Sequence, residues 1–407
     1  MSRLAERKGG SLPDVRHRNR VHIRQAIYRG APITRTEIAD QLGLTLPTIT
    51  TSVAQMLEEG LLLEEPMSDA EYQAGQGGRR PLMLRFSPEA GYALGVELGP
   101  YETSIVLTDL TGTPIERALF PQASPDYAAM LADLASWIAP FLTRVPKEKF
   151  LGVGLGTPGF VNDEDGSIRA SFRSGWNGKN IAADLGDLCS VPVIADNNVR
   201  MRAIGQQMRH GKNLPDLFAY LFVSKGIACP LMIDRHILSG STFGAGEIGH
   251  MVLQPDGPIC PTCGRRGCLE ALTGETAVRR DCASLLQFGR APILRKLAAD
   301  VPDPDIKTIL AAQRAGDPDV TEVLDKAIDY LGLALANVVN LISPAQVLVD
   351  GYLLQSEENR TRLLESARSR FYGLNAREVQ IRFLPFDRFS GSVGAATAVI
   401  DRNFIRR

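Results

Sequence analysis

Residues 246 to 270 read GEIGHMVLQPDGPICPTCGRRGCLE, and in this stretch three cysteines crowd into nine positions shortly after a histidine. The imidazole of His250 and the thiolates of Cys260, Cys263 and Cys268 form a complete tetrahedral ligand set for zinc. The two glycines between the last cysteines permit the tight backbone that such close ligands require. Because protein would fill all four positions, the pattern predicts a structural zinc that fixes a loop and does not activate water. The alternative is three buried structural cysteines beside an unrelated histidine.

The composition around this stretch is that of a globular protein. The chain has 407 residues, a length that favours two or three domains. Hydrophobic residues make up 44% and charged residues 22%, which excludes disordered and collagen-like chains. The formal net charge of -1 provides no global field toward nucleic acid or an anionic membrane, so any such binding must be local.

Two features bear on location. The longest mostly apolar stretch, from Leu331 to Ile342, contains two asparagines and is shorter than the roughly 20 residues that a membrane span needs. The first ten residues contain no apolar segment of the kind found in a secretory signal. We therefore expect a cytoplasmic protein with no membrane contact, in a reducing compartment where clustered cysteines bind metal.

The N-terminal region carries a local positive charge, since residues 1 to 35 contain nine Lys or Arg but only two acidic residues. From residue 18 to 65 the hydrophobic pattern predicts three short amphipathic helices, around Val21 to Ile27, Thr36 to Leu42 and Pro47 to Glu59. Gly43 is suited to the turn between the last two helices, and Thr45 to the N-cap of the third. This spacing indicates a helix-turn-helix.

Two short apolar runs, at residues 61–63 and 82–84, flank a polar stretch rich in glycine, and they predict the two strands of a wing. Beyond residue 87, strand-like runs at 93–98, 103–110 and 113–120 predict an antiparallel meander. Further strands at 151–156, 193–196, 218–223 and 346–349 alternate with helical segments, which is typical of α/β architecture. We place the DNA-binding domain at residues 1–86 and a second domain at residues 87–407.

The third helix would present its N-terminal face to the major groove of DNA. Hydroxyl groups there can reach phosphates or base edges, and arginines nearby can neutralise phosphates. The alternative is a three-helix packing or dimerisation module with a solvated basic face. The candidate DNA-binding residues are Arg35, Thr45, Thr48, Thr50, Thr51, Arg79 and Arg80.

Three motifs together carry a family resemblance. They are GEIGH at 246–250, CPTCGRRGCLE at 260–270 and GVGLGTPG at 152–159. The chain resembles the ROK family of repressors, open reading frames and kinases over essentially its whole length, because ROK repressors also place a winged helix-turn-helix before the sugar-binding domain. The resemblance implies a two-lobed, actin-like and ribonuclease-H-like α/β domain with sugar in the cleft. One departure is that the usual Cys-x-Cys is longer by one residue here, between Cys260 and Cys263.

The resemblance also implies sugar-binding residues. Glu247, His250 and Glu270 map to positions that contact sugar hydroxyls, with the second nitrogen of His250 holding the zinc. Carboxylates accept paired hydroxyl hydrogen bonds, and a metal-bound imidazole is fixed in tautomer and orientation. Asn197 and Asn198 are further candidates for hydrogen bonds to sugar. Trp176 is expected either to stack on a sugar face or to pack in the core.

The same comparison of motifs argues against a kinase. Where ROK kinases carry Glu-Asn-Asp-Ala-Asn, with the aspartate as catalytic base, residues 196–200 read DNNVR and Asn198 replaces the base. An amide cannot accept the proton. The first phosphate turn contains Pro100, which lacks an N–H, and the second contains Lys225 and only one of three glycines. Near the C-terminal end, Asp350 interrupts the glycine pair that lines adenosine in the kinases.

The sequence thus predicts a non-enzymatic transcriptional regulator, a repressor, that binds operator DNA and responds to a sugar or sugar phosphate. Operator symmetry and the resemblance imply a homodimer or higher homo-oligomer. Two alternatives stay open. One is an ATP-dependent sugar kinase with an atypical base, and the other is a DNA-binding protein regulated by a protein partner.

Overall fold

The computed structural model describes residues 12–67, 80–299, 301–373 and 378–407. In these ranges, no helix combines the length and the hydrophobicity that crossing a bilayer requires. The predicted wing residue Arg79 lies outside the described residues, as does most of the polar stretch around it.

The N-terminal module is a winged helix-turn-helix, as the hydrophobic pattern predicts. Its elements are α1 (Leu12–Gly30), β1 (Ile33–Thr34), α2 (Arg35–Leu42), α3 (Leu46–Glu58), β2 (Leu62–Pro66) and β3 (Leu82–Phe86). A capping box of Thr34 and Glu37 begins α2, and Gly43 ends it in the left-handed region at φ 62°. Strand β3 pairs antiparallel with β2 and with β1, which forms the wing.

The first lobe of the second domain is built on a five-stranded sheet. Its elements are β4 (Tyr92–Leu98), β5 (Glu102–Asp109), β6 (Pro114–Pro121), α4 (Tyr127–Leu142), β7 (Phe150–Thr157), β8 (Phe160–Val161), β9 (Ile168–Ala170), α5 (Ile181–Cys189), β10 (Val193–Asn197) and α6 (Asn198–His210). The strand order is β10-β7-β4-β5-β6. Strands β4, β5 and β6 form the predicted antiparallel meander, while β7 and β10 add parallel strands.

The second lobe contains a six-stranded sheet with helices packed on it. Its elements are β11 (Leu217–Val223), β12 (Ile227–Ala228), β13 (Leu231–Ile233), β14 (His236–Ile237), α7 (Leu269–Thr273), α8 (Glu275–Gln287), α9 (Pro292–Leu297), α10 (Ile306–Arg314), α11 (Pro318–Ile342), β15 (Gln346–Gly351), α12 (Glu357–Arg368) and β16 (Gln380–Phe383). Strands β11, β15 and β16 are parallel, and β12 and β13 pair antiparallel with β11.

The chain then returns to the first lobe through α13 (Ser390–Ile400) and a π-helical turn, Asp401–Ile405. Helix α13 lies against β4, β7 and α6. This approach requires glycine at residue 95, because a Cβ there would stand 1.8 Å from the carbonyl oxygen of Ser392. The result is the two-lobed, actin-like α/β architecture, with α6 and α13 packed together where the lobes meet.

The hydrophobic core of the DNA-binding module continues into the first lobe. Ile23 and Ile27 of α1 belong to the same buried cluster as Val399 of α13. The rings of Phe86 and Phe404 meet edge to face with centroids 5.3 Å apart. The module is therefore docked on the C-terminal segment of the chain, and its position depends on that segment.

Candidate functional site

The four predicted metal ligands converge on one point. The candidate ligand atoms of His250, Cys260, Cys263 and Cys268 all lie within 4.8 Å of one another. His250 Nδ1 is 3.8 Å from Cys260 Sγ, and the Sγ atoms of Cys263 and Cys268 are 3.5 Å apart. Ligand atoms around a tetrahedral zinc stand roughly 3.5 to 3.8 Å apart, given its bond lengths. The donor set therefore fits such an ion, and Cys260 is part of it despite the longer spacing.

Backbone hydrogen bonds fold the cysteine loop. The N–H of Cys260 donates to the carbonyl of Arg265 at 2.7 Å, and the N–H of Gly264 donates back to the carbonyl of Cys260 at 2.9 Å. Gly267 has a φ of 70°. A Cβ at that position would stand 1.5 Å from the carbonyl oxygen of Gln254, so only glycine fits there.

Both predicted sugar-facing carboxylates lie beside this cluster. Glu247 precedes the helical turn that carries His250, and its carbonyl accepts the His250 N–H at 3.1 Å. Glu270 stands in the first turn of α7, and its Oε1 is 3.7 Å from Cys260 Sγ and accepts a hydrogen bond from Thr262 Oγ1. The Nδ1 of His250 faces the cluster, which leaves Nε2 for a different partner. The loop thus brings the three predicted sugar contacts together.

The environment of Glu247 is unusual for a carboxyl group. Burial raises the pKa of Glu247 to about 7; Arg200 opposes this effect and the nearby Glu270 adds to it. Poor solvation of a carboxylate is offset when a ligand donates hydrogen bonds to it. Hydrogen bonds donated by sugar hydroxyls would therefore favour the charged form of Glu247.

The two predicted asparagines at the end of β10 are placed differently from each other. Asn197 caps α6: its Oδ1 accepts from the N–H of Val199 and of Arg200 at 2.9 and 3.2 Å, and its Nδ2 donates to Gly159 O at 3.0 Å. Its amide is therefore engaged in holding the strand end. Asn198 makes no side-chain hydrogen bond within the described part of the chain, so its amide is the one available to a ligand.

A buried ionic network stands at the positions that correspond to the nucleotide side of the cleft. The guanidinium of Arg202 binds both oxygens of Glu97, each at 2.8 Å, and Asp350 Oδ2 at 3.1 Å. These three side chains are 7%, 3% and 2% exposed. Tyr220 donates to the same Asp350 oxygen at 2.6 Å. Arg202 thus joins the first phosphate turn to the residue that replaces the adenosine-lining glycine.

A second set of contacts crosses the cleft nearby. Tyr101 donates to Glu275 Oε2 at 2.6 Å. Lys225 Nζ donates to Pro100 O at 3.1 Å and lies 4.1 Å from the ring centroid of Tyr101. The two predicted phosphate turns therefore contact each other through side chains.

Sequence reasoning missed the Arg202 network and the Tyr101–Glu275 contact. One signal was present in the sequence: Glu97 and Asp350 each follow a run of apolar residues in a buried strand, and buried carboxylates need a cationic partner. Of the two alternatives for Trp176, the structure shows packing in the core. Trp176 is fully buried, and its Nε1 donates to Pro125 O at 3.0 Å.

The predicted DNA-binding threonines are all exposed on or before α3. Thr45 occupies the N-cap position, but its hydroxyl makes no capping bond and lies 2.9 Å from the hydroxyl of Thr48. Thr51 Oγ1 donates to Pro47 O at 3.0 Å, while Ile49 on the opposite face is buried. The helix therefore presents a polar, solvated face.

The two predicted arginines of this module that the structure describes differ in their surroundings. Arg35 is half-buried and forms an ion pair with Glu64 of β2, so part of its charge is neutralised within the module. Arg80 stands just before β3, at the base of the wing.

Comparisons with known proteins agree with this architecture. A model described as "ROK family" matches residues 93–402, and one described as "Winged helix-turn-helix DNA-binding" matches residues 17–62. Because the first match spans more than half of the chain, the chain belongs to the ROK family. Its arrangement, a DNA-binding module followed by the ROK domain, is that of the family's transcriptional regulators.

Two curated relatives share nearly the whole length. The xylose repressor of Bacillus subtilis (strain 168) is 25% identical over 392 residues, which cover 95% of this chain and 96% of the relative. The DNA-binding transcriptional dual regulator NagC of Escherichia coli (strain K12) is 25% identical over 362 residues, covering 88% and 86%.

Solved structures show the same fold. A ROK family transcriptional regulator, described as a homologue of the E. coli MLC protein, superposes with a TM-score of 0.78 at 23% identity and covers 96% of this chain and 97% of its own. A ROK family glucokinase from Streptomyces griseus, in complex with glucose and AMPPNP, superposes with a TM-score of 0.66 at 21% identity, covering 76% of this chain and 99% of its own.

Proposed function

We propose that this protein is a sugar-responsive transcriptional repressor, with a DNA-binding domain at residues 1–86 and a sugar-binding domain at residues 87–407. One observation carries the proposal. A winged helix-turn-helix is joined to a ROK domain in which the protein's own side chains fill the nucleotide side of the cleft, while the sugar side keeps Glu247, His250 and Glu270 beside one another. The two relatives named as transcriptional regulators support it.

The cleft is proposed to bind without catalysing a reaction. Phosphoryl transfer requires a base at the attacking hydroxyl and backbone N–H groups around the phosphates. Asn198 stands at the base position, and Arg202 and Lys225 join the loops that would have to surround the phosphates. Incubation with ATP and a panel of hexoses and amino sugars, followed by a coupled ADP assay, should show no turnover above that of an Asp196→Asn control. Turnover that depends on Asp196 would support the kinase alternative.

On the DNA side, we propose that α3 enters the major groove and that the wing contacts phosphates. The proposed contacts are Arg35, Thr45, Thr48, Thr50, Thr51, Arg79 and Arg80. Fluorescence anisotropy with operator DNA should show that Thr48→Ala and Thr50→Ala weaken binding, because both hydroxyls stand on the exposed face. Thr321→Ala, on α11 of the second lobe, is the matched control. If a fragment that lacks residues 1–86 bound operator as tightly as the full chain, the assignment would be wrong.

For the effector, we propose a sugar or sugar phosphate held by Glu247, His250, Glu270 and Asn198, with Asn197 fixing the strand end. A thermal-shift panel should identify it, because a ligand that binds only the native state raises the melting temperature. Xylose and N-acetylglucosamine are the first candidates, because one relative is named xylose repressor and another, from Escherichia coli O157:H7, is named N-acetylglucosamine repressor.

A variant of the proposed sugar site tests the coupling between sugar binding and DNA binding. Glu247→Ala should abolish the effect of the sugar on DNA affinity and leave binding without sugar nearly intact, because the response depends on ligand contacts. Glu148→Ala, at an exposed position of the first lobe, is the control and should keep the full response. An unchanged response in Glu247→Ala would contradict the sugar site.

We also propose that His250, Cys260, Cys263 and Cys268 hold one structural zinc, which supplies folding free energy by fixing the loop that carries His250 next to Glu270. Metal analysis of protein purified without chelator should give one zinc per chain. The proposed setting is the cytoplasm, and the proposed assembly is a homodimer or higher homo-oligomer, as a palindromic operator requires. Light scattering of the full chain measures the assembly directly.

A further inference from the structure

A cavity of about 360 Å³ lies where three parts of the molecule meet. Its walls come from the end of α1 in the DNA-binding module, from β10, α6 and the β8–β9 loop of the first lobe, from the β13–β14 hairpin of the second lobe and from the end of α13 with the segment that follows it. Its volume is in the range of small-molecule sites, which occur preferentially at domain interfaces. Glu247, His250 and Glu270 do not line it.

One wall of this junction cavity is apolar with a single unsatisfied amide. Met201, Met208 and Met232 contribute the apolar surface. Gln207 lines the same cavity and is only 3% exposed, and neither its Nε2 nor its Oε1 has a hydrogen-bond partner among the described residues. Buried amides are normally satisfied, and a group that both donates and accepts, such as a hydroxyl, would satisfy this one.

The rest of the lining carries charges of both signs. Four arginines line the cavity, Arg29, Arg235, Arg402 and Arg406, and so do four carboxylates, Asp163, Glu164, Asp196 and Asp401. Arg235 pairs with Asp216 at 3.2 Å and Arg406 pairs with Asp401 at 2.7 Å. In contrast, no carboxylate of the described chain lies within ion-pair distance of Arg29.

The crowding of like charges is visible at Arg29 itself. Its pKa lies below the ordinary arginine value because the side chain is partly buried and because Arg235 and Arg406 stand nearby, although Asp401 and Asp216 oppose this effect. Two of the lining carboxylates are already paired, Asp196 with Arg200 and Asp401 with Arg406, whereas no cation of the described chain lies within ion-pair distance of Asp163 or Glu164. An anion at Arg29 would relieve repulsion among these arginines and would not displace an ion pair of Arg29 itself.

We propose that the junction cavity is a second effector site, for a small hydroxylated organic anion. Arg29 and Arg235 bind its carboxylate or phosphate, a hydroxyl group meets the amide of Gln207, and the carbon frame packs on the methionines. Because Arg29 belongs to the DNA-binding module and Arg235 to the second lobe, the bound anion ties these two parts together and changes operator affinity. This regulatory consequence rests on the proposed function, whereas the binding itself does not.

Three compounds with one carbon frame test the binding: glycerol 3-phosphate, glycerate and glycerol, each titrated into the full chain by calorimetry and thermal shift at constant ionic strength. At millimolar concentration, one or both anions should raise the melting temperature, and glycerol should not. Arg29→Gln and Arg235→Gln should each weaken anion binding about tenfold, because each removes a charge-assisted contact. Gln207→Leu should weaken the binding of the hydroxylated anion but not the binding of inorganic phosphate. Arg314→Gln, on the exposed end of α10, is the control and should bind like the native chain.

The outcomes separate clearly. A shift with glycerol 3-phosphate alone assigns the site to phosphates, and one with glycerate alone assigns it to carboxylates. No shift with either anion, or a shift that persists in both Arg29→Gln and Arg235→Gln, would overturn the proposal. The regulatory part is measured separately, as the effect of the anion on operator binding. If the anion bound without changing operator affinity, the binding site would stand but its regulatory role would be refuted. The sugar response of the native chain tests the proposed function independently.

Discussion

Replacing Arg202 by methionine should destabilise the second domain strongly. The substitution keeps an unbranched side chain in α6 but removes the guanidinium that binds Glu97 twice and Asp350 once. Both carboxylates are at most 3% exposed, so they would stay buried without their cation. Breaking a buried ion pair in this way costs about 3 to 5 kcal/mol. With an unfolding entropy of roughly 2.1 cal/mol/K per residue over a domain of about 320 residues, the expected drop in melting temperature is about 4 to 7 °C.

Differential scanning calorimetry measures this drop. Arg314→Met, at an exposed position, should shift the transition by less than about 1 °C. The double variant Glu97→Gln/Arg202→Met should recover part of the stability, because one of the two uncompensated buried carboxylates is gone.

Two results would refute the reasoning. One is a melting temperature of Arg202→Met close to that of the native chain, which would mean that the buried network does not hold the lobes. The other is a double variant no more stable than the single one, which would mean that the cost comes from poorer packing and not from the stranded carboxylate.

Three further predictions concern the metal, the DNA and the cleft. Cys268→Ser should lower both zinc content and melting temperature, whereas Cys189→Ser, outside the cluster, should change neither the zinc content nor, by more than about 1 °C, the melting temperature. The double variant Arg79→Ala/Arg80→Ala should weaken operator binding. The slope of the logarithm of the binding constant against the logarithm of the salt concentration should become shallower by about 0.9 for each phosphate that is no longer neutralised, as measured by anisotropy between low and moderate salt. Tyr101→Phe should leave Glu275 without its hydroxyl partner and lower the melting temperature by about 1.5 to 4.5 °C, given a cost of about 1 to 3 kcal/mol for an unpaired buried group.

Local patterns in the sequence were enough to predict the elements around the site. The helix-turn-helix follows from apolar spacing and from Gly43, which adopts the left-handed conformation that ends α2. The meander follows from three strand-like runs separated by turn residues. The cluster of His250 with the three cysteines follows because these residues are close in sequence and only glycine tolerates the backbone at residue 267. Each of these signals is carried by residues that lie within about 30 positions of one another in the sequence.

The tertiary structure alone decided which distant residues meet. Arg202 binds Glu97 and Asp350, which lie 105 and 148 positions away in the sequence, and no periodicity of the sequence predicts that pairing. The burial of Trp176 and the continuation of the DNA-binding module's core into α13 are equally long-range. Helix and strand patterns report which face of an element is buried, but not which other element covers it. Charge pairing and cavity formation depend on that packing, which is why the network that fills the nucleotide side and the junction cavity become visible only in the folded chain.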